Sequence, residues 1–344
     1  MKRPTLKDIA AIAGVSHVAV SMALRNHPRI SAETRERIKV IAQEIGYRPD
    51  PALSSLIVYR RGVAKSGYRA TLAWVGFYRK SVKDLAFNRL LFQGARERCI
   101  ELGYTLEEFY LADMGMSFSR LSKVLYAQNI QGVLFSPLER SVGHINMKAF
   151  AWEQFSVISF GFSLVSPKLD VVIDAQSRAA RAVVRKLRSL GYRRIGFVIE
   201  RGYNERTDGN LLAGYLGEQT RFPEARRIPP LILVSDNCEQ TCREWFQRYE
   251  PDGVFDTRGI LYNLLTPAEL SRCGIAVHCG VAIPGFGEMI AGIDQNAPLI
   301  GQVGVNEVVS LINANVRGIP AIPRRILVEG TWINGKSAPQ LAYK

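Results

Sequence analysis

A chain of 344 residues, at about 150 per domain, implies two or three domains, and 47% apolar against 22% charged residues excludes a mostly disordered protein. No apolar run approaches the ~20 residues needed to span a bilayer, and the opening MKRPTLKDIA has no hydrophobic signal core, so the expectation is a cytoplasmic protein with no membrane partner. The net charge of +14 is unevenly placed: residues 1–69 hold 4 Lys and 9 Arg against 5 acids, a net +8, as in a small module that meets a polyanion.

Within that basic segment the residues are patterned for folding. Leu6, Ile9, Ala10 and Ala13 recur at helical spacing, Thr5 and Asp8 are placed as a capping box, and Gly14 ends the helix where positive φ is cheap. Ser16 caps a second helix running from His17 to about Arg25, with Val20 and Leu24 inward. Ser31 caps a third, from Ala32 to about Ile45, with Ile38, Ile41 and Ile45 on one stripe and Gly46 as its stop. Two short helices joined at a glycine and buttressed by a third make a helix-turn-helix, whose second helix enters the major groove of DNA.

The first turn of that helix would present Ser16, His17, Val18 and Ser21. His17 can hydrogen-bond a base edge and Val18 can meet a thymine methyl group. Thr5, Ser16, Ser21 and Asn26 are of the type that holds phosphate oxygens. Asp50 as N-cap and Pro51 at the first helical position then start a short helix with Leu53, Leu56 and Ile57 apolar and Tyr59-Arg60-Arg61 as its basic end. About nine residues are marginal as a helix in water, so this one either packs on another element or orders on DNA with leucines wedged into the minor groove. Residues 61–69, rich in glycine and small side chains, read as linker.

Thr5-Leu6-Lys7-Asp8-Ile9-Ala10, Ala13-Gly14-Val15-Ser16, Val20-Ser21, Ser31, Thr34-Arg35 and Gly46-Tyr47-Arg48-Pro49-Asp50 together resemble the DNA-binding head of the lactose-repressor/galactose-repressor family of bacterial transcriptional regulators. The resemblance implies a homodimer on a near-palindromic, double-stranded operator, with a hinge-helix leucine inserted at the central base step, where this chain has Leu56. It adds Leu6 and Tyr47 to the DNA-facing set, alongside Leu53 and Arg60. Met22, Asp50 and Leu53 depart from the family's usual residues, and Leu53 is either a second wedge or packing between paired hinge helices.

From Ala70 onward short apolar strands alternate with amphipathic helices. Leu72–Phe77, Leu106–Phe109, Gly132–Phe135, Val157–Phe160, Ile195–Ile199, Leu231–Val234 and Gly253–Phe255 read as strands, and Asn88–Leu102, Ala175–Leu190 and Glu239–Tyr249 as helices, the alternation of parallel sheets. The expected fold is therefore α/β: a small all-α head with hinge helix over residues 1–60, a linker, and over residues 70–344 a periplasmic-binding-protein-like domain of two subdomains that binds effector and dimerises. Two stretches, Asp174 through Val198 and Ala291 to Trp332, resemble the family here, with crossovers expected near Asp170–Ala175, Ile293–Gly301 and Leu327–Gly330.

The resemblance also implies a small-molecule effector, a sugar or sugar derivative, in the cleft at the strands' carboxyl ends. Phe87, Asn88, Phe160, Arg206 and Asp294 are candidate lining residues, with packing or surface ion pairing as the competing role of each, and capping of the crossover as that of Asp294. The chain departs from the family in having Gly209 at the position spaced closest to a common Arg. It has His278-Cys279 where an Asp is common, which removes a carboxylate suited to paired sugar hydroxyls.

Catalysis, cofactors and metals are not expected. Five scattered cysteines make no disulfide framework, Cys238-x-x-x-Cys242 lacks zinc spacing, and no phosphate-binding glycine loop or nucleophile–base arrangement can be assigned. The expected function is a transcriptional repressor, and the alternative to a regulator is a solute-binding protein that carries a basic N-terminal extension.

Overall fold

The structure, a computed structural model, describes residues 4–24, 29–47, 70–77, 86–138, 147–234, 238–278 and 280–341. Three helices form the head: α1 (Leu6–Ala13), α2 (His17–Leu24) and α3 (Ala32–Glu44). The Thr5 N–H and hydroxyl both donate to the Asp8 carboxylate, at 2.6 and 2.7 Å, which fixes where α1 begins. Gly14 takes the left-handed conformation at φ 66° and turns the chain so that α1 and α2 meet at 103°, within the range of a helix-turn-helix. Ser16 Oγ accepts the Ala19 N–H at 3.1 Å and Ser31 Oγ accepts that of Thr34 at 3.2 Å, capping α2 and α3. Ile9, Ala13, Val20, Ala23, Ile38 and Ala42 close a small apolar core between the three helices.

The rest of the described chain builds two sheets of the same design. In the first unit, β1 (Ala70–Gly76), α4 (Ala86–Glu101), β2 (Tyr104–Tyr110), α5 (Leu111–Met114), α6 (Phe118–Ala127), β3 (Gly132–Phe135), β4 (Ser156–Phe160) and β5 (Val171–Asp174) follow in order. The chain then passes to a second unit of α7 (Gln176–Ser189), β6 (Ile195–Glu200), α8 (Arg201–Arg206), α9 (Asn210–Gln219), β7 (Leu231–Leu233), α10 (Cys238–Tyr249), β8 (Gly253–Asp256), α11 (Ile260–Leu264), α12 (Pro267–Leu270), β9 (Gly274–Val277) and β10 (Ala291–Asp294). It returns through α13 (Ala297–Ala314) and β11 (Arg325–Val328) to the first unit and ends in β12 (Thr331–Ile333) of the second.

The strand orders are β11-β5-β4-β3-β1-β2 and β12-β10-β9-β8-β6-β7, parallel throughout except that β12 runs antiparallel to β10. Parallel sheets need cover on both faces, and each has it: two apolar clusters flank the first sheet, around Trp74 and Phe160 and around Phe135 and Phe155, and two flank the second, around Phe197 and Tyr215 and around Val254 and Trp245. Three crossovers join the units, between Asp174 and Gln176, Asp294 and Ala297, and Val328 and Thr331. The sequence reading expects the first crossover near Asp170–Ala175, where the structure has it, but reads no strand over 171–174. The segment is instead a buried central strand, since Val171, Val172 and Ile173 are enclosed on both faces, and only its last residue begins the crossover.

Candidate functional site

On the head, Ser16, His17 and Val18 are all exposed and consecutive at the start of α2, with Val18 at 53% the apolar member. The helix that carries them is anchored in the head by Val20 and Ala23, which are fully buried. Ser21 lies half-buried one turn on, and Thr5 is exposed at the start of α1. Leu6 and Tyr47 pack against the head core as well as reaching its surface. Asn26, Leu53, Leu56 and Arg60, with the hinge and linker, lie outside the described residues.

The candidate effector residues fall in three places. Phe87 and Asn88 are half-buried in the first turn of α4. Phe160 ends β4 at 1% exposure, its ring 5.3 Å from that of Trp74 and packed under Gly304, so it belongs to the core of the first unit. Arg206 ends α8 in the second unit with its guanidinium 5.2 Å from the ring centroid of Tyr203. Asp294 sits at the second crossover, where its carboxylate accepts the Asn296 N–H at 2.9 Å and shapes the turn.

The structure assembles a polar group between these places that sequence reasoning did not bring together. His278, just past β9, and Asp174, at the end of β5, are both fully buried and joined Nε2 to Oδ2 at 2.8 Å. Tyr203 on α8 reaches His278 Nδ1 through its hydroxyl at 3.0 Å. Gln295, 4% exposed, donates Nε2 to Asp174 Oδ1 at 3.2 Å. The side-chain oxygens of Gln295 and of Gln176, the first residue of α7, are buried without a hydrogen-bond partner among the described residues. The sequence signal for this group was the His278 departure itself and the Tyr203/Arg206 spacing, which places both on one face of a helix.

Cysteine chemistry finds no support in the geometry. Burial pushes the Cys99 and Cys242 thiols up to about 12, which keeps them protonated and poor as ligands or nucleophiles. Among the described residues no three His, Cys, Asp or Glu side chains gather in a metal-binding arrangement.

The model of bacterial regulatory proteins of the lacI family matches residues 5–50, the span of the three capped helices. Over 293 residues the chain is 26% identical to the HTH-type transcriptional regulator GntR of Escherichia coli (strain K12), covering 83% of this chain and 82% of that protein. Residues 5–50 therefore form a lacI-family DNA-binding head. Another relative, the HTH-type transcriptional regulator DegA of Bacillus subtilis (strain 168), is 22% identical over 303 residues, 86% of this chain and 85% of that one. Two solved structures share the fold: the transcriptional regulator CelR–cellobiose complex, at TM-score 0.58 and 20% identity over 97% of this chain and all of that one, and the lac repressor dimer bound to operator and the anti-inducer ONPF, at 0.56 and 17% over 98% of this chain and all of that one. With this head and these relatives the chain is a DNA-binding transcriptional regulator. No single helix among the described residues is long and apolar enough to cross a membrane.

Proposed function

We propose that this regulator is a cytoplasmic repressor that binds a near-palindromic operator as a homodimer, with its DNA affinity set by a carbohydrate-like effector in the cleft between the two α/β units. The observation that carries the DNA half is the exposed Ser16-His17-Val18 turn, held on a capped helix at 103° to its neighbour. His17 and Val18 read base edges, while Thr5, Ser16, Ser21 and Asn26 hold phosphates. The hinge residues Leu53 and Leu56 wedge the minor groove, and Arg60 adds a sequence-independent contact. Residues 1–60 form this module, 61–69 link it, and 70–344 bind effector and dimerise.

Two heads would meet half-sites about one helical turn, ~34 Å, apart. Effector binding would shift the population of subdomain angles and so the spacing of the paired hinge helices. Cleft-facing roles for Phe87, Asn88, Arg206 and Asp294 belong to this reading, with Phe160 supporting the cleft wall from the core. The unpartnered oxygens of Gln176 and Gln295, both beside Asp174 at the strands' carboxyl ends, suit a ligand that brings hydroxyl donors. The related CelR was solved with cellobiose and the lac repressor on its operator, which fits both halves of the reading.

Selection of DNA from a random pool with the full chain, repeated with His17→Ala, tests the DNA half. An altered base preference is expected, and an unchanged preference would move base reading elsewhere. A melting screen across sugars, sugar acids, sugar phosphates and nucleobases tests the effector half. At a hundredfold excess over Kd a ligand of the folded state contributes about 2.7 kcal/mol, and a shift only with nucleobases would overturn the carbohydrate assignment.

A further inference from the structure

Asp174 closes the last strand before the first crossover and Gln295 opens the second crossover, so their hydrogen bond ties two of the three connections on which the units turn. His278 directly follows β9 of the second sheet, yet it is bonded through Nε2 to Asp174, the end of a strand of the first. Tyr203 stands at the other nitrogen. It is half-exposed, and its ring lies beneath two guanidiniums, Arg206 at 5.2 Å and Arg258 at 5.7 Å, the latter also paired with Glu200 at 2.7 Å. One hydrogen-bonded line therefore runs from an arginine-capped ring on α8 to the pivot: Tyr203, His278, Asp174, Gln295.

The chemistry of the line makes it directional. An ionised carboxylate only accepts, so the His278 Nε2 facing Asp174 carries a proton. In the neutral ring Nδ1 is then an acceptor, and the Tyr203 hydroxyl donates to it. Each partner fixes the role of the next, as where a carboxylate sets the tautomer of a histidine that acts elsewhere. Full burial of His278 and Asp174 makes a break in the line costly, because a separated pair would be left unpaired away from water. Moving Tyr203 therefore perturbs the Asp174 end.

We propose that His278 is a positioning residue that transmits the placement of Tyr203 on α8 to the crossover pivot at Asp174 and Gln295, and so sets the angle between the two units. The proposal rests on the reading of the cleft as the effector site. Its test needs neither effector nor operator, so the relay can fail while the effector assignment stands.

Hydrogen exchange of the full chain reads the pivot directly. Tyr203→Phe, which removes only a hydroxyl, is expected to speed exchange about threefold or more in peptides covering 171–176 and 291–297, far along the chain from the change. His278→Gln keeps a donor for Asp174 and has no counterpart of Nδ1, so it should reproduce that pattern, and the double variant should exceed neither single one. Faster exchange confined to residues 200–208, or an additive double variant, would overturn the relay. The chain has only four histidines, so the His278 ring signals in a ¹⁵N-histidine spectrum can be identified by their loss in His278→Gln. Tyr203→Phe should move the Nδ1 resonance while Nε2 stays protonated, and an unmoved Nδ1 would also refute the proposal. Should His278→Gln fail to fold, Tyr203→Phe alone decides.

Discussion

Asp256 ends β8 with its carboxylate wholly enclosed, accepting the N–H groups of Ile260 and Tyr262 at 3.0 Å each. Burial pushes its pKa up to about 6, and the backbone donors offset only part of that cost. An acid whose folded value lies above its unfolded one contributes most at low pH, and the contribution is lost as pH rises from the ordinary carboxylate range through about 6. A shift of about 2 units corresponds to roughly 3 kcal/mol. Urea unfolding of the wild type and Asp256→Asn at pH 4.5 and 7.5 should show the stability difference between them moving against the wild type by an amount of that order. Parallel pH curves would mean that Asp256 titrates alike in both states. Glu218 behaves oppositely. It too is buried, but Arg185, Arg181 and Arg221 outweigh the burial and hold its carboxyl below the ordinary range. The three arginines are about half exposed and stay hydrated once the carboxylate is gone, so Glu218→Gln should cost roughly 1 kcal/mol at pH 7 by the same unfolding measurement.

Helix α13 is held against α4 by backbone contact at two glycines, one on each helix. A Cβ on Gly94 would stand 2.0 Å from the Pro298 carbonyl oxygen, and one on Gly301 would stand 2.1 Å from that of Leu91. Gly301→Ala must therefore push the helices apart, at about 3 kcal/mol or more of lost stability in thermal unfolding. Gly217, inside α9 with nothing within 4 Å of its would-be Cβ, gives the opposite expectation: Gly217→Ala should stabilise by about 0.5–1 kcal/mol. The helix caps and the strand–helix alternation were legible in the sequence because they rest on local rules: Ser16 and Ser31 before apolar stripes, and Gly14 after one. Close approach of α4 and α13 was not, since nothing about Gly94 or Gly301 alone says which backbone it will meet some 200 residues away. The cleft was least legible for the same reason. Asp174 and His278 are 104 residues apart, and sequence reading could mark His278 only as a departure from an expected Asp, not as the partner of a carboxylate at a crossover. Phe160 illustrates the reverse difficulty, since a strand-end aromatic reads equally as ligand wall or core until its neighbours Trp74 and Gly304 are known.

At the scale of the whole molecule the excess charge divides into two blocks. Residues 1–69 carry a net +8, and residues 176–227 hold 12 Lys and Arg against 5 acids, a net +7, so the remainder of the chain is close to neutral. The second block is partly spent within the fold. Arg181, Arg185 and Arg221 share Glu218, and Arg178 pairs with Glu329 at 2.6 Å. If the head and hinge alone meet the operator, only the first block releases counterions from DNA. Removing one phosphate-binding cation there should flatten the slope of log affinity against log salt by about 0.9. Arg60→Ala is then expected to weaken binding to every sequence alike and to reduce the slope by about one. Arg188→Gln, on the exposed side of α7, should leave both slope and affinity unchanged. Titrations of labelled duplex across a severalfold range of salt distinguish the two, because they compare slopes rather than single affinities. A slope that falls equally for Arg188→Gln would place DNA against the second α/β unit as well, and the division of charge into a reading block and a soluble one would have to be abandoned.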